Sequence, residues 1–203
     1  MADVREKILA AAARVYAESG FRGTTTRRIA EMAGVSEITL FRHFGSKDAL
    51  ISAALQQFRH HARPLVTLRE PQHPAEELQA WAWQLYQHWY AARHLICRVM
   101  GDLVEHPQIA PAICEEPSCE HAMVTRYLAR MRELGLASPD FVPEAAAGLL
   151  LGAVFTHAVW RDHFAPVASD LPPPEQVIGS YVQLTLRSIG AGGTLGGKEA
   201  QAG

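Results

Sequence analysis

The 203-residue sequence predicts an all-α protein. Three observations carry that expectation. Apolar residues recur three and four apart through almost every segment, the period of a helix with one buried face. Gly, Pro and Ser/Thr fall between those segments, at the places where helices stop and start. No stretch alternates apolar and polar residues between hairpin turns, so no strand is expected. About nine helices are counted, four of them before residue 64.

The first helix covers residues 3–19, with Val4, Ile8, Leu9, Ala12, Val15 and Tyr16 as its apolar stripe. Gly20 stops it, and Phe21 plugs the small core beneath. Thr25 is an N-cap for a second helix whose apolar face is Ile29, Ala30 and Ala33. Gly34 stands where a left-handed C-cap residue is needed. Val35 anchors the turn, Ser36 caps a third helix carrying Leu40, Phe41 and Phe44, and Gly45 ends it. Two short helices joined by a glycine turn, between Thr25 and Gly45, form the helix-turn-helix pattern, in which the second helix enters the DNA major groove. Ser46 then caps a fourth helix from Lys47 to about Ala62, with Leu50, Ile51, Ala54, Leu55 and Phe58 inward, and Pro64 closes it.

Beyond the loop Arg69-Glu-Pro-Gln-His-Pro74, the spacing predicts helices over Pro74 to Arg93, Leu95 to Glu105 and, briefly, Gln108 to Glu115. A Ser118-capped helix follows, with Met123, Tyr127, Leu128, Met131 and Leu134, closed by Gly135. Two more run from Pro143 to about His163 and from Glu175 to Ile189. The expected domains are 1–63, 64–190 and a Gly-rich disordered tail at 191–203. The longest apolar run, Ala145 to Trp160, falls short of the about 20 residues a bilayer span needs and reads as a buried helix.

Composition is that of an ordinary globular chain, and the net charge of −2 excludes little. Its distribution says more. Residues 1–63 hold ten Lys/Arg against six Asp/Glu, and residues 64–203 nine against fifteen. The helix-turn-helix part is therefore the part whose field attracts phosphates. Three cysteines and a charged N-terminus without an apolar signal core suit a cytoplasmic chain with reduced thiols.

The ordered set Ile8, Ala12, Gly20-Phe21, Thr25, Ile29-Ala30, Gly34-Val35-Ser36, Thr39-Leu40-Phe41, His43-Phe44 and Lys47-Asp48-Ala49-Leu50 resembles the N-terminal domain of the tetracycline-repressor (TetR) family of transcriptional regulators. The likeness covers about residues 5–55. It implies a DNA-binding head linked by the fourth helix to a C-terminal domain that binds a small-molecule effector and forms a homodimer through its last two long helices. It also implies a palindromic operator, a repressor released by its effector, and no cofactor. The sequence adds some support of its own for the dimer. The Ala145 to Trp160 helix is apolar almost all round, Gly148 and Gly152 permit close helix approach, and the last helix is apolar on two sides.

On the third helix Glu37, Ile38, Thr39, Arg42 and His43 are not needed for packing, and Ser36 stands at its start. The resemblance turns Glu37, Ile38 and Thr39 toward the bases. Glu37 suits a cytosine amino group, and Ile38 or the Thr39 methyl a thymine methyl. Arg27 matches a base-reading position in the family, with a phosphate contact as the competing reading. Lys47, His43 and the Thr25 hydroxyl are phosphate candidates. Phe41 departs from the tyrosine many relatives carry there and lacks its hydroxyl, so Arg42 is expected to compensate.

The candidate effector pocket comprises Trp81, Tyr86, Trp89, Tyr90, Met123, Tyr127, Phe155 and His157, a set suited to an apolar or aromatic ligand. Ordinary core packing competes for each of them. Thr156, His94 and Arg98 are further polar candidates. Cys114, Cys119 and His121 gather thiols and an imidazole, but C-x4-C-x-H matches no common zinc spacing, so no metal is expected. No phosphate-binding glycine loop, nucleophile elbow or H-E-x-x-H motif points to an enzyme. The competing function is an effector-independent or architectural DNA-binding protein.

Overall fold

The computed structural model describes residues 3–61, 66–109, 119–164 and 171–191, and no strand occurs among them. Eight α-helices are described: α1 (Val4–Gly23), α2 (Thr26–Ala33), α3 (Glu37–Phe44), α4 (Lys47–His61), α5 (Pro74–Glu105), α6 (Cys119–Glu133), α7 (Pro143–Phe164) and α8 (Pro174–Ser188). A 3-10 turn, Pro107–Ile109, follows α5. The expected helix from Gln108 to Glu115 is represented only by the end of that turn. Its remainder, together with Cys114, the Cys119 side chain and the tail from residue 192, lies outside the described residues.

One expected boundary is corrected. The sequence suggested a break between Arg93 and Leu95, but α5 runs unbroken for 32 residues. The intervening Ala91-Ala92-Arg93-His94 contains neither Gly nor Pro, and Ala and Arg are strong helix formers, so nothing there interrupts the backbone hydrogen bonds.

The chain divides into two compact units. The first comprises Met1–Arg63 with Ala91–Glu116, and the second Pro64–Tyr90 with Pro117–Gly203. In the first unit α1 packs on α2 and α4. Its stripe of Ile8, Leu9, Ala12 and Val15 meets Ile29, Leu40, Leu50 and Ala54 in one core. Each of the larger aliphatic side chains contributes about 1.5–3 kcal/mol by leaving water. A second cluster in the same unit joins Tyr16 and Phe21 to Ile51, Leu55, Leu95, Val99 and Ile109.

In the second unit α7 packs on α6 and α8. Leu78, Trp81, Leu85, Tyr127, Leu128, Met131, Leu150, Val154, Ile178 and Val182 fill its core. The Glu77 carboxylate accepts the backbone N–H groups of Gln72 (3.1 Å) and His73 (2.8 Å), which fixes the entry into α5. Opposite the core, Leu149 on α7 is 71% exposed, Trp160 42%, and Leu184 on α8 60%.

Candidate nucleic-acid interface

The interface is built on the turn between α2 and α3. Thr25 accepts the Arg28 N–H (3.2 Å) and so satisfies a free donor of the first turn of α2. At the other end Gly34 adopts φ 69° and ψ 35°, the left-handed conformation that costs an L side chain about 1–2 kcal/mol. This lets Val35 N–H reach back to the Ala30 carbonyl (3.0 Å), a Schellman closure. The Ser36 hydroxyl accepts Thr39 N–H (3.2 Å) and pairs with the Thr39 hydroxyl (3.0 Å), which starts α3. Leu40 is buried and anchors α3 to the head, and Phe44 packs against the same core.

The opposite face of α3 is open. Ile38 is 82% exposed and Phe41 46%, while Glu37, Arg42 and His43 also face solvent and Thr39 is half-buried. On α2, Arg27 is exposed and pairs with Glu31 one turn on (3.1 Å). The structure thus places Arg27 on α2, Ser36 at the cap of α3, and Glu37, Ile38, Thr39, Phe41, Arg42 and His43 on α3. The helix termini do the positioning. The Thr25 hydroxyl, having accepted from Arg28, still has its own hydrogen to donate.

Lys47 has a different environment. Its ammonium donates to the Phe21 carbonyl (2.6 Å) and lies 4.6 Å from the centre of the Phe21 ring. It is half-buried and ties the start of α4 to the end of α1. The Phe21 N–H donates to Asp102 of α5 (2.9 Å), and the His106 ring stacks on Phe21 with centroids 4.1 Å apart. Gly20 makes this corner possible. Its φ of 67° and ψ of −176° lie in a region essentially reserved for glycine. A Cβ there would stand 3.1 Å from Arg98 Cδ and 3.3 Å from Asp102 Oδ2. The Tyr16 hydroxyl is buried beside Asp102, and burial first, then that carboxylate, push its pKa up.

Several of these residues were not singled out from the sequence. Asp102 and His106 are remote from the motif in sequence, and only the glycine conformation at position 20 hints that something must approach closely. Thr26 donates its hydroxyl to Glu37 (2.6 Å) across the turn. A Thr-Thr-Thr run beside an N-cap signals the cap without indicating which hydroxyl does something else.

In the second unit the predicted pocket residues separate into three groups. Tyr86 stacks with Trp83 (5.3 Å) and with Tyr90 (5.7 Å), and meets His157 (5.7 Å). His157 also touches Tyr181 (6.0 Å) and bonds Arg161 (2.9 Å); burial first, then the Arg161 charge, hold its pKa below 6.5. The Tyr90 hydroxyl donates to Asp162 (3.0 Å). Trp89 meets Phe155 edge-on at 5.3 Å. Tyr127 donates to Glu77 (2.5 Å), and burial followed by that carboxylate raises its pKa. Trp81 is fully buried in the core, and Met123 packs against it. Arg98 belongs to the first unit, where it lies at Gly20, and not to the second. An opening of about 430 Å3 near Val66, Glu70 and Glu77 and another of about 220 Å3 near His73, Met131 and Leu186 include none of the eight predicted pocket residues. No group of three metal-ligating side chains occurs among the described residues.

This geometry defines a helix-turn-helix DNA-binding transcriptional regulator. The model of bacterial regulatory proteins of the tetR family matches residues 8–62. The chain is 30% identical over 158 residues to the HTH-type transcriptional regulator UidR of Escherichia coli strain K12, a match covering 74% of this chain and 78% of that one. Among solved structures, the flavonoid-responsive regulator FrrA aligns with a TM-score of 0.71 at 23% identity, covering 91% of this chain and 96% of that one. Salmonella enterica GusR aligns with a TM-score of 0.69 at 24% identity, covering 91% and 95%. The chain belongs to the TetR family of transcriptional regulators.

Proposed function

We propose that the protein is a homodimeric repressor that binds a palindromic operator and is released from it by an apolar or aromatic small molecule. The exposed face of α3, with Leu40 holding the helix from behind, carries this reading. Glu37, Ile38, Thr39 and Arg27 are assigned to base edges. Thr25, Ser36, Phe41, Arg42, His43 and one of the remaining Lys47 donors are assigned to the backbone. The head would be 1–63 and the effector and dimer domain 64–190, with the protein acting in the cytoplasm.

Two features support the finer statements. Exposed Leu149 and Trp160 on α7, with exposed Gly148 and Gly152 on the same helix, and exposed Leu184 on α8 are apolar or closely approachable positions suited to a second copy. The stack of Trp83, Tyr86 and Tyr90, with His157, Arg161 and Asp162 bonded at its edge, is aromatic surface bordered by polar groups, although Tyr86 itself is buried between its two neighbours. An aromatic effector that displaces part of this packing fits such a lining, and the solved neighbour FrrA is named as flavonoid-responsive. Such an effector releases DNA by preferring the state that cannot bind it. The relatives are transcriptional regulators.

Selection of randomised duplexes on the purified chain tests this. Recovery of a palindrome with a fixed half-site spacing supports a two-headed sequence reader. Recovery of weak, salt-sensitive binding without a motif refutes it in favour of an architectural protein.

A further inference from the structure

We infer that Thr26 is a specificity-determining positioning residue: it orients the Glu37 carboxylate so that one oxygen is presented to a cytosine amino group. The inference rests on the reading of Glu37 as a base contact. Thr26 is the first residue of α2 and Glu37 the first of α3, so the two meet across the helix-turn-helix turn. The Thr26 hydroxyl donates to Glu37 Oε2 at 2.6 Å, the short distance of a hydrogen bond to a charged acceptor.

Three consequences follow from that one bond. The first is conformational. Glu37 is exposed, and a free glutamate samples many rotamers that binding would have to freeze. A partner already in place removes part of that cost before DNA arrives. The second concerns what the carboxylate can read. It only accepts hydrogen bonds, and with Oε2 occupied, Oε1 is left to accept from a base amino group. In the major groove that suits cytosine N4, opposes guanine O6 and N7 or thymine O4, which are acceptors themselves, and suits adenine N6 less well because the N7 acceptor stands beside it. The third concerns Thr26. Having given its hydrogen to Glu37, it has none for a phosphate, so it acts through Glu37 rather than on the DNA backbone. Thr25 beside it keeps the capping task, because it is the Thr25 hydroxyl that accepts from Arg28.

The test is duplex selection and competition binding with the full-length wild type and Thr26→Val, Thr26→Ser and Glu37→Gln. Val matches the volume and branching of Thr without the hydroxyl, and thermal unfolding checks that each variant is folded. Glu37→Gln is expected to change the preferred base at one symmetric pair of operator positions. Thr26→Val is expected to lower discrimination at that same pair about three- to tenfold, a fraction of what one good base contact is worth, with the other positions unmoved. Thr26→Ser, which keeps the hydroxyl, is expected to retain the wild-type preference. A Thr26→Val protein with the wild-type preference, beside a Glu37→Gln protein that has lost it, overturns the role of Thr26 and leaves Glu37 as a reader. An unchanged preference in Glu37→Gln overturns both. A uniform loss of affinity at all positions in Thr26→Val, unrescued by Ser, also overturns the proposal and assigns Thr26 to the stability of the head.

Discussion

Replacing Gly20 by alanine tests the corner that joins α1, α4 and α5. Two effects add. The backbone at φ 67° and ψ −176° costs a non-glycine residue about 1–3 kcal/mol. The new methyl would also stand 3.3 Å from Asp102 Oδ2 and 3.1 Å from Arg98 Cδ, so the carboxylate must shift away from Phe21 N–H. A hydrogen bond to a charged group is worth about 1.5–3 kcal/mol, part of which is lost. The combined destabilisation is about 3 kcal/mol, which for a chain of this size lowers Tm by about 6–12 °C. Gly34→Ala is the control. Its φ is 69°, nearly the same, but nothing lies within 4 Å of its Cβ, so only the left-handed backbone cost of about 1–2 kcal/mol applies. Urea and thermal unfolding of both variants at one protomer concentration give the comparison, since an oligomer's stability depends on concentration. If Gly20→Ala is no less stable than Gly34→Ala, the claim that Asp102 and Arg98 require the space at position 20 is wrong.

Tyr127→Phe removes the hydroxyl that binds Glu77 and is expected to cost about 1 kcal/mol, discounted because the carboxylate is partly solvated. Burial raises the Glu77 pKa, but the Tyr127 hydroxyl and the His73 and Gln72 N–H groups together outweigh it, and the net value is below 4.5. A depressed carboxylate contributes stability above pH 4.5 and loses it as pH falls through the folded value. Acid unfolding curves should therefore converge for wild type and Tyr127→Phe at low pH and separate at neutral pH. Arg42→Ala should weaken operator binding and reduce the slope of log affinity against log salt by about one, as expected for one lost phosphate contact; an unchanged slope removes Arg42 from the backbone contacts. Leu149→Glu places a charge among the exposed apolar positions of α7 and should shift sedimentation from dimer to monomer without unfolding the chain; a dimer of unchanged affinity puts the interface elsewhere.

The parts of the fold legible in the sequence were those written in short-range chemistry. Thr25, Gly34, Ser36 and Gly45 each mark a helix end through a cap or a left-handed residue, and all four ends fall where those residues stand. The exposed face of α3 was legible in part: Glu37, Ile38, Arg42 and His43, spare from packing in the sequence, are exposed, whereas Phe41, grouped there with Leu40 and Phe44, is 46% exposed and Thr39 is half-buried. The continuity of α5 is not legible in the apolar spacing, which divides it between Arg93 and Leu95, although neither Gly nor Pro stands there to break it. Asp102 and His106 were missed because their partner, Phe21, is some 80 residues away in the chain. A carboxylate that caps a distant backbone N–H leaves no local pattern. The aromatic residues of α5 read as buried on both faces; Trp81 and Tyr86 are buried, while Trp83, Trp89 and Tyr90 are half-buried, a difference that periodicity does not show.

The grip on Phe21 has a consequence for how this chain can change. A cation from α4 holds its carbonyl and an anion from α5 holds its N–H, so one residue of backbone lies between opposite charges that bind different atoms. Losing either charge loosens the same corner, and the second loss then removes less than it would alone. Positions 47 and 102 are therefore epistatic, and a substitution tolerated at one depends on what the other carries. Two residues 55 positions apart in the chain, Lys47 and Asp102, thereby become a single heritable unit, and drift at the end of α5 is constrained by the start of α4.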